Sequence, residues 1–345
     1  MADHSIVNGS EIPVYNLKCI DLANPDIHQT VFRPNEKILC AAKDEKKKLF
    51  WNQSLRGYRP PAQAVIDNKT QQKDFGEAYH IGVDVAKDDP NCGKFFYGPN
   101  IWPPADILPG WKETMMRYQE ETINVGRAIG RIIALALDLN VDFFDQPEIL
   151  GNKTTICFVT EVIINNTKYY KRFISNFSYC FPGTDFSKEI VGAPPHCDLN
   201  FITLLATDEI WGLQICREKN AQPQLWEATP PVKGAFIVNV GDMLEMLSNG
   251  AFRIIYYIYL PMPFFFFFQI LKFDNKSILH RVVFGKKRYS TGLFLCPNHD
   301  YVIECLPTCK SEDNPPKYPT IKTGDYILSR FRQLAADTVK DNKAV

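Results

Sequence analysis

Short apolar runs fill the second half of this chain. Residues 201–205, 212–216, 234–240 and 290–295 are β-branched or aromatic, and turn residues bound each of them. Runs of this length and spacing predict a sandwich or barrel rather than a parallel sheet with crossover helices. No glycine-rich phosphate loop follows any of them, which argues against nucleotide-dependent chemistry. Ahead of these runs, Met115, Tyr118, Ile123, Val125, Ile129, Ile132, Ile133, Leu135 and Leu137 recur at three- and four-residue intervals. That period predicts one long helix over 111–139, its apolar stripe buried and backing the strands. Residues 36–52 read as a second helix with Lys46, Lys47 and Lys48 on its solvated side, and residues 12–22 as a strand. The run Gly57-Tyr58-Arg59-Pro60-Pro61 breaks the helical pattern, and a proline-rich loop follows near 98–104. The expected class is mixed α+β, mainly β. Its parts are a largely helical region over 1–155, a core over 156–310 and a C-terminal tail or helix over 311–345.

Composition narrows the partners. Lys and Arg number 39 and Asp and Glu 39, so the electrostatic footprint of a general nucleic-acid binder is absent. Ten cysteines in 345 residues are too sparse for a disulfide scaffold, and Cys305 and Cys309 have no second pair to complete a zinc site. The N-terminus lacks the basic and apolar parts of a signal peptide, so a reduced, cytoplasmic protein is expected. One stretch runs against this. Residues 254–271 contain eighteen residues without a charge. As a helix they would nearly cross a bilayer, but Pro261 and Pro263 in the middle would break it. An apolar insertion near 254–273 is the expected reading, not a membrane span.

The chemistry rests on two of the six histidines. His196-Cys197-Asp198 is read as opening a strand, which would place an imidazole and a carboxylate on one face. His280 ends another apolar run. Arg288 and Ser290, shortly after it, would share a face on the return strand of a hairpin. Two histidines and one carboxylate are the ligand set of non-haem Fe(II) oxygenases. The same set with a metal-bound water would also suit a zinc hydrolase. A guanidinium beside a hydroxyl is a natural anchor for a carboxylate, because its fork matches the two oxygens.

The joined pattern resembles a known family, the plant-type 2-oxoglutarate- and Fe(II)-dependent dioxygenases of the isopenicillin N synthase-like group. The resemblance is carried by Gly98-Pro99-Asn100-x-Trp102-Pro103, His196-x-Asp198, Ile202-Thr-Leu-Leu-Ala-Thr207, Gly212-Leu-Gln-Ile215, Asn239-Val-Gly-Asp-Met-Leu244, Ser248-Asn-Gly250, Leu279-His-Arg-Val282 and Arg288-Tyr-Ser290. It implies a double-stranded β-helix (jelly-roll) core with a helical N-terminal part. It further implies Fe(II) held by His196, Asp198 and His280, and 2-oxoglutarate gripped by Arg288 and Ser290. O2 would be the oxidant, with ascorbate as an accessory reductant and a small molecule as substrate. Two other readings stay open. One is an aminocyclopropane-carboxylate-oxidase-like enzyme, which shares the R-x-S pattern but uses no 2-oxoglutarate. The other is an inactive or mis-spliced relative that keeps the fold without turnover.

Four departures from the family pattern bear on that last reading. Residues 31–35 run directly into the 36–52 helix, where relatives carry a further strand and helix. Asn200 stands where the family usually has Gly, an exchange that is tolerable if the backbone there needs a positive φ. Phe181 stands where a tyrosine hydroxyl would reach the oxo-acid, with Tyr179 a candidate substitute, and residues 160–180 do not match the family strand. The fourth is the apolar run itself, which together with 160–180 reads as translated intron, with 31–35 marking a skipped exon. Arg59 and Trp102 are candidates for the entrance to the site, or else packing residues.

Overall fold

The computed structural model of the chain describes residues 43–60, 65–67, 72–73, 77–94, 96–150, 155–161, 191–218, 221–222, 224–232, 235–251, 254–259, 267–272, 278–283 and 288–341. In the first half of the chain the strands are β1 (Gly57–Arg59), β2 (Val65–Asp67), β3 (Gln72–Lys73), β4 (Glu77–Gly82) and β5 (Thr155–Glu161). Then come β6 (Val191–His196), β7 (Ile202–Thr207), β8 (Leu213–Glu218), β9 (Leu225–Ala228), β10 (Ala235–Val240) and β11 (Ile254–Tyr259). The last are β12 (Phe267–Lys272), β13 (His280–Val283), β14 (Ser290–Leu295), β15 (Val302–Ile303) and β16 (Ile321–Lys322). The α-helices are α1 (Lys43–Lys48), α2 (Trp111–Ala136), α3 (Pro147–Leu150), α4 (Asp242–Leu247) and α5 (Thr323–Asp341).

Eight strands form the larger sheet in the order β1-β4-β5-β14-β7-β10-β11-β12, and four form the smaller one in the order β6-β13-β8-β9. Every pairing between these strands is antiparallel. Two antiparallel layers of this kind are the jelly-roll arrangement. Strand alternation then sorts the side chains. Ile202, Leu204 and Ala206 of β7 and Phe236, Val238 and Val240 of β10 join the main core with α2. The residues between them face the other way, so Leu205 and Ile237 meet Leu213, Ile215 and Val282 of the smaller sheet, with Ile278 just ahead of β13. The same inward phase holds Thr203 and Asn239.

The periodic run becomes α2, with Met115, Tyr118, Val125, Ile129 and Ile133 buried. It lies close against the larger sheet at Gly126, where a Cβ would come within 2.9 Å of Leu295 Cδ2. The region expected to be largely helical also supplies four strands, two of which, β1 and β4, extend the larger sheet. Asn100, from the Gly-Pro-Asn stretch, secures the end of β4. Its amide donates to the Gly82 carbonyl and accepts from the Gly82 N–H, each at 2.8 Å, as a paired strand would. Asn100→Ala is expected to lower the unfolding free energy by about 2 kcal/mol, from two bonds of roughly 1 kcal/mol each. A denaturant melt with an unchanged midpoint would contradict this.

The uncharged run is not a helix. Its halves are β11 and β12, paired over six residues, and β11 adds to β10 at the edge of the larger sheet. Aromatic and β-branched residues on both sides of a proline pair favour this pairing. Pro261 and Pro263 fall between the two strands, outside the described residues. Among the described residues no helix is long and apolar enough to cross a membrane. Residues 12–22, 31–35, Tyr179 and Phe181 also lie outside the described residues, as does 36–52 up to residue 42 and 160–180 beyond Glu161.

Candidate metal centre

His196 closes β6 instead of opening a strand, and Asp198 lies beyond the strand end. The run 191–196 is hard to read as a strand because it contains Pro194 and Pro195. It is tolerated because β6 is an edge strand, where missing N–H groups break no ladder. His280 opens β13, and its Cα pairs across the ladder with that of His196. That register brings the imidazoles together, with ring centroids 4.3 Å apart. Asp198 reaches the pair from the loop, its Oδ1 3.8 Å from each Nε2. The three ligand atoms lie within 4.8 Å of one another, and no other such group of His, Cys, Asp or Glu occurs among the described residues.

Protonation favours a metal here. The His196 Nδ1 lies 2.7 Å from the Pro194 carbonyl and the His280 Nδ1 2.9 Å from the Ile278 carbonyl. A carbonyl oxygen only accepts, so both Nδ1 atoms carry the proton and both Nε2 lone pairs face the centre. Asp198 is buried and deeply held. Its Oδ2 accepts from Thr203 Oγ1 at 2.6 Å and from Asn239 Nδ2 at 2.7 Å. Burial alone would raise this carboxyl. Positive charge on the His280 and His196 rings, when they are protonated in place of binding a metal, and the Asn239 and Thr203 hydrogen bonds outweigh burial and hold it below its ordinary value. Two imidazoles and one carboxylate oxygen with satisfied outer partners fit a divalent iron.

Sequence patterns do not single out Thr203 and Asn239. They are register partners on β7 and β10, so both reach Asp198 from one face. A polar residue at an inward position of an apolar strand is the available signal. The loop backbone is fixed as well, since the Asp242 N–H donates to the Asp198 carbonyl at 2.8 Å.

Arg288 and Ser290 are also brought together, though not on a hairpin. β13 belongs to the smaller sheet and β14 to the larger, so the chain crosses between layers after His280. Both side chains are buried, and Arg288 Nη1 donates to Ser290 Oγ at 3.4 Å. The Arg288 Nε has no hydrogen-bond partner among the described residues. Burial pushes this guanidinium down to about 10, against the opposing charge of Asp208. A nearly enclosed cation with spare donors suits a carboxylate ligand.

The other candidates divide differently. Arg59 is buried in β1, and Trp102 packs edge-on against Trp111 with ring centroids 5.7 Å apart. Burial and the charges of Arg59 and Arg56 push His80 well below the ordinary imidazole value, as for a neutral structural histidine. Asn200 is not among the described residues with positive φ, so conformational freedom does not explain it.

Comparison with known proteins agrees with this site. Residues 165–297 match the family model described as the 2OG-Fe(II) oxygenase superfamily. The chain is 75% identical, over 373 aligned positions covering all of both proteins, to Kihadalactone A synthase LFS of Citrus sinensis. It is 53% identical over 367 positions, 98% of this chain and 99% of the relative, to Azadirone synthase LFS of Melia azedarach. Among solved structures it resembles a full-length Neurospora crassa protein in complex with alpha-KG. The TM-score there is 0.65 at 25% identity, covering 90% of this chain and 83% of that one. With its fold, its His-Asp-His cluster and these relatives, the chain belongs to the 2OG-Fe(II) oxygenase superfamily and is a 2-oxoglutarate- and Fe(II)-dependent dioxygenase.

Proposed function

We propose that His196, Asp198 and His280 hold Fe(II), that Arg288 and Ser290 grip a carboxylate of 2-oxoglutarate, and that the chain oxidises the precursor of kihadalactone A or a close analogue. The observation that carries the site assignment is the convergence of two Nε2 lone pairs and the single free carboxylate oxygen of Asp198. The buried Arg288 supports the 2-oxoglutarate role. The substrate assignment is supported by 75% identity across the whole of both chains to an enzyme named for that product.

When bound, iron with 2-oxoglutarate and O2 supplies the oxidising power, and 2-oxoglutarate leaves as succinate and CO2. The protein's residues position and shield. His196 and His280 present their Nε2 atoms because backbone carbonyls hold the opposite nitrogens. Arg288 orients the oxo-acid through its fork, with Ser290 fixing the guanidinium edge. The apolar contacts of Leu213, Ile215, Ile237 and Val282 keep water from the space between the sheets.

The same reading assigns the catalytic unit to residues 156–310 and a cytoplasmic location. An alignment of 373 positions exceeds the 345 residues of this chain, which supports the reading that a family segment is missing here. Incubation of the iron-loaded chain with 2-oxoglutarate, O2 and the substrate of the Citrus enzyme is expected to yield kihadalactone A and an equal amount of succinate. Product without succinate would favour chemistry like that of aminocyclopropane-carboxylate oxidase. No product while the Citrus enzyme turns over alongside would overturn the substrate assignment.

A further inference from the structure

We infer that Asn200 is a positioning residue for the iron site, acting through Thr203 to make Asp198 present one oxygen only. This role rests on Asp198 holding iron. Asn200 is buried, and its Nδ2 lies 2.5 Å from the Ile202 carbonyl. A carbonyl accepts and never donates, so this contact fixes which end of the amide is nitrogen. The same Nδ2 lies 3.0 Å from Thr203 Oγ1 and donates to it.

Thr203 has one hydroxyl proton. Two acceptors lie within its reach, Asn200 Oδ1 at 3.3 Å and Asp198 Oδ2 at 2.6 Å, and with Asn200 Nδ2 donating into the hydroxyl oxygen the proton goes to the nearer, charged Asp198. Oδ2 then accepts from both Thr203 and Asn239, and Oδ1 alone faces the imidazoles. Without Asn200, the hydroxyl oxygen loses the donor that fixes its lone pairs, and with it the orientation toward Asp198. The Asn200 backbone carbonyl is built into the same place. A Cβ on Gly241 would collide with that oxygen, so the glycine lets β10 and α4 close over the loop.

The test uses the full chain and Co(II), an air-stable probe whose visible spectrum reports coordination. Wild type, Asn200→Ala, Thr203→Val, Thr203→Ser and the double variant Asn200→Ala/Thr203→Val are titrated with Co(II), and the melting temperature of each metal-free protein checks its fold. Asn200→Ala and Thr203→Val are each expected to weaken Co(II) binding by about 10-fold or more, the usual effect of removing an outer partner of a metal ligand. Thr203→Ser, which keeps the hydroxyl, is expected to bind within about twofold of wild type. The double variant is expected to match Thr203→Val, because Asn200 acts through a hydroxyl that is already gone.

Co(II) affinity of Asn200→Ala within about twofold of wild type, whatever its melting temperature, would overturn the inference. So would losses that multiply in the double variant. If Asn200→Ala does not fold, Asn200→Gly is read by the same criteria. Should wild type itself fail to bind Co(II), the triad assignment falls, whereas wild-type binding with an indifferent Asn200 removes only this inference.

Discussion

Asp198→Asn is expected to abolish metal binding while leaving the fold intact. The asparagine oxygen would take the place of Oδ2 and accept from Thr203 and Asn239, so both buried donors stay satisfied. Its amide nitrogen would then replace the oxygen that lies 3.8 Å from the His196 and His280 Nε2 atoms. An N–H donor aimed at two imidazole lone pairs occupies the site that a cation needs, and the negative charge is lost as well. Iron affinity should fall by more than about 100-fold, beyond what changes around a ligand produce. The melting temperature of the metal-free protein should change little. Metal titration beside a thermal melt checks both halves. Retained binding would show that Asp198 is not a ligand, and a collapsed melt would show that its charge holds the fold.

Arg288→Leu is expected to separate binding from stability in the opposite sense. The guanidinium is 3% exposed, and among described residues its hydrogen bond is a 3.4 Å contact to Ser290. Burial lowers its pKa to about 10, and the charge of Asp208 offsets that only in part. Replacing a buried charge by an apolar side chain of similar size is often neutral or stabilising. The melting temperature of the ligand-free variant should therefore hold or rise. Loss of one partner from a buried charge pair costs about 2–5 kcal/mol, so the 2-oxoglutarate KM should rise from about 30-fold to several thousand-fold. Arg288→Lys should not restore it, because a point charge does not reproduce the fork. The KM measured from succinate release decides this. An unchanged value would move the oxo-acid site elsewhere.

Much of this architecture is legible in local pattern. The four apolar runs are β7, β8, β10 and β14, with boundaries shifted by a residue or two at most, and the periodic run is α2. Their residues are decided by period and burial, which a sequence displays. The ligand residues are legible by type and order. Their placement is not, because it depends on the ladder. His196 sits at the end of an edge strand that its prolines disguise. His280 meets it through a cross-strand register, and Arg288 lies on a crossing between sheets where a hairpin is the simpler local reading. The strands β1 and β4 are short and lack clean alternation, and they form because the sheet offers them partners. The uncharged run shows the same limit. Its composition suits a membrane helix or a buried strand pair, and only pairing with β10 distinguishes them. Thr203, Asn239 and Asn200 become functional residues only through hydrogen bonds that converge on one carboxylate, and no local pattern displays those.

His196, Asp198, His280 and Arg288 assemble into one centre with β11 and β12 at the edge of the larger sheet. The measurement that tests it most directly is an anaerobic titration of the purified full chain, first with Fe(II) and then with 2-oxoglutarate, followed in the visible region. A saturable iron-to-ketone charge-transfer band is expected, and Asp198→Asn is expected to abolish it. A folded protein that shows no band at saturating 2-oxoglutarate would contradict this assembly.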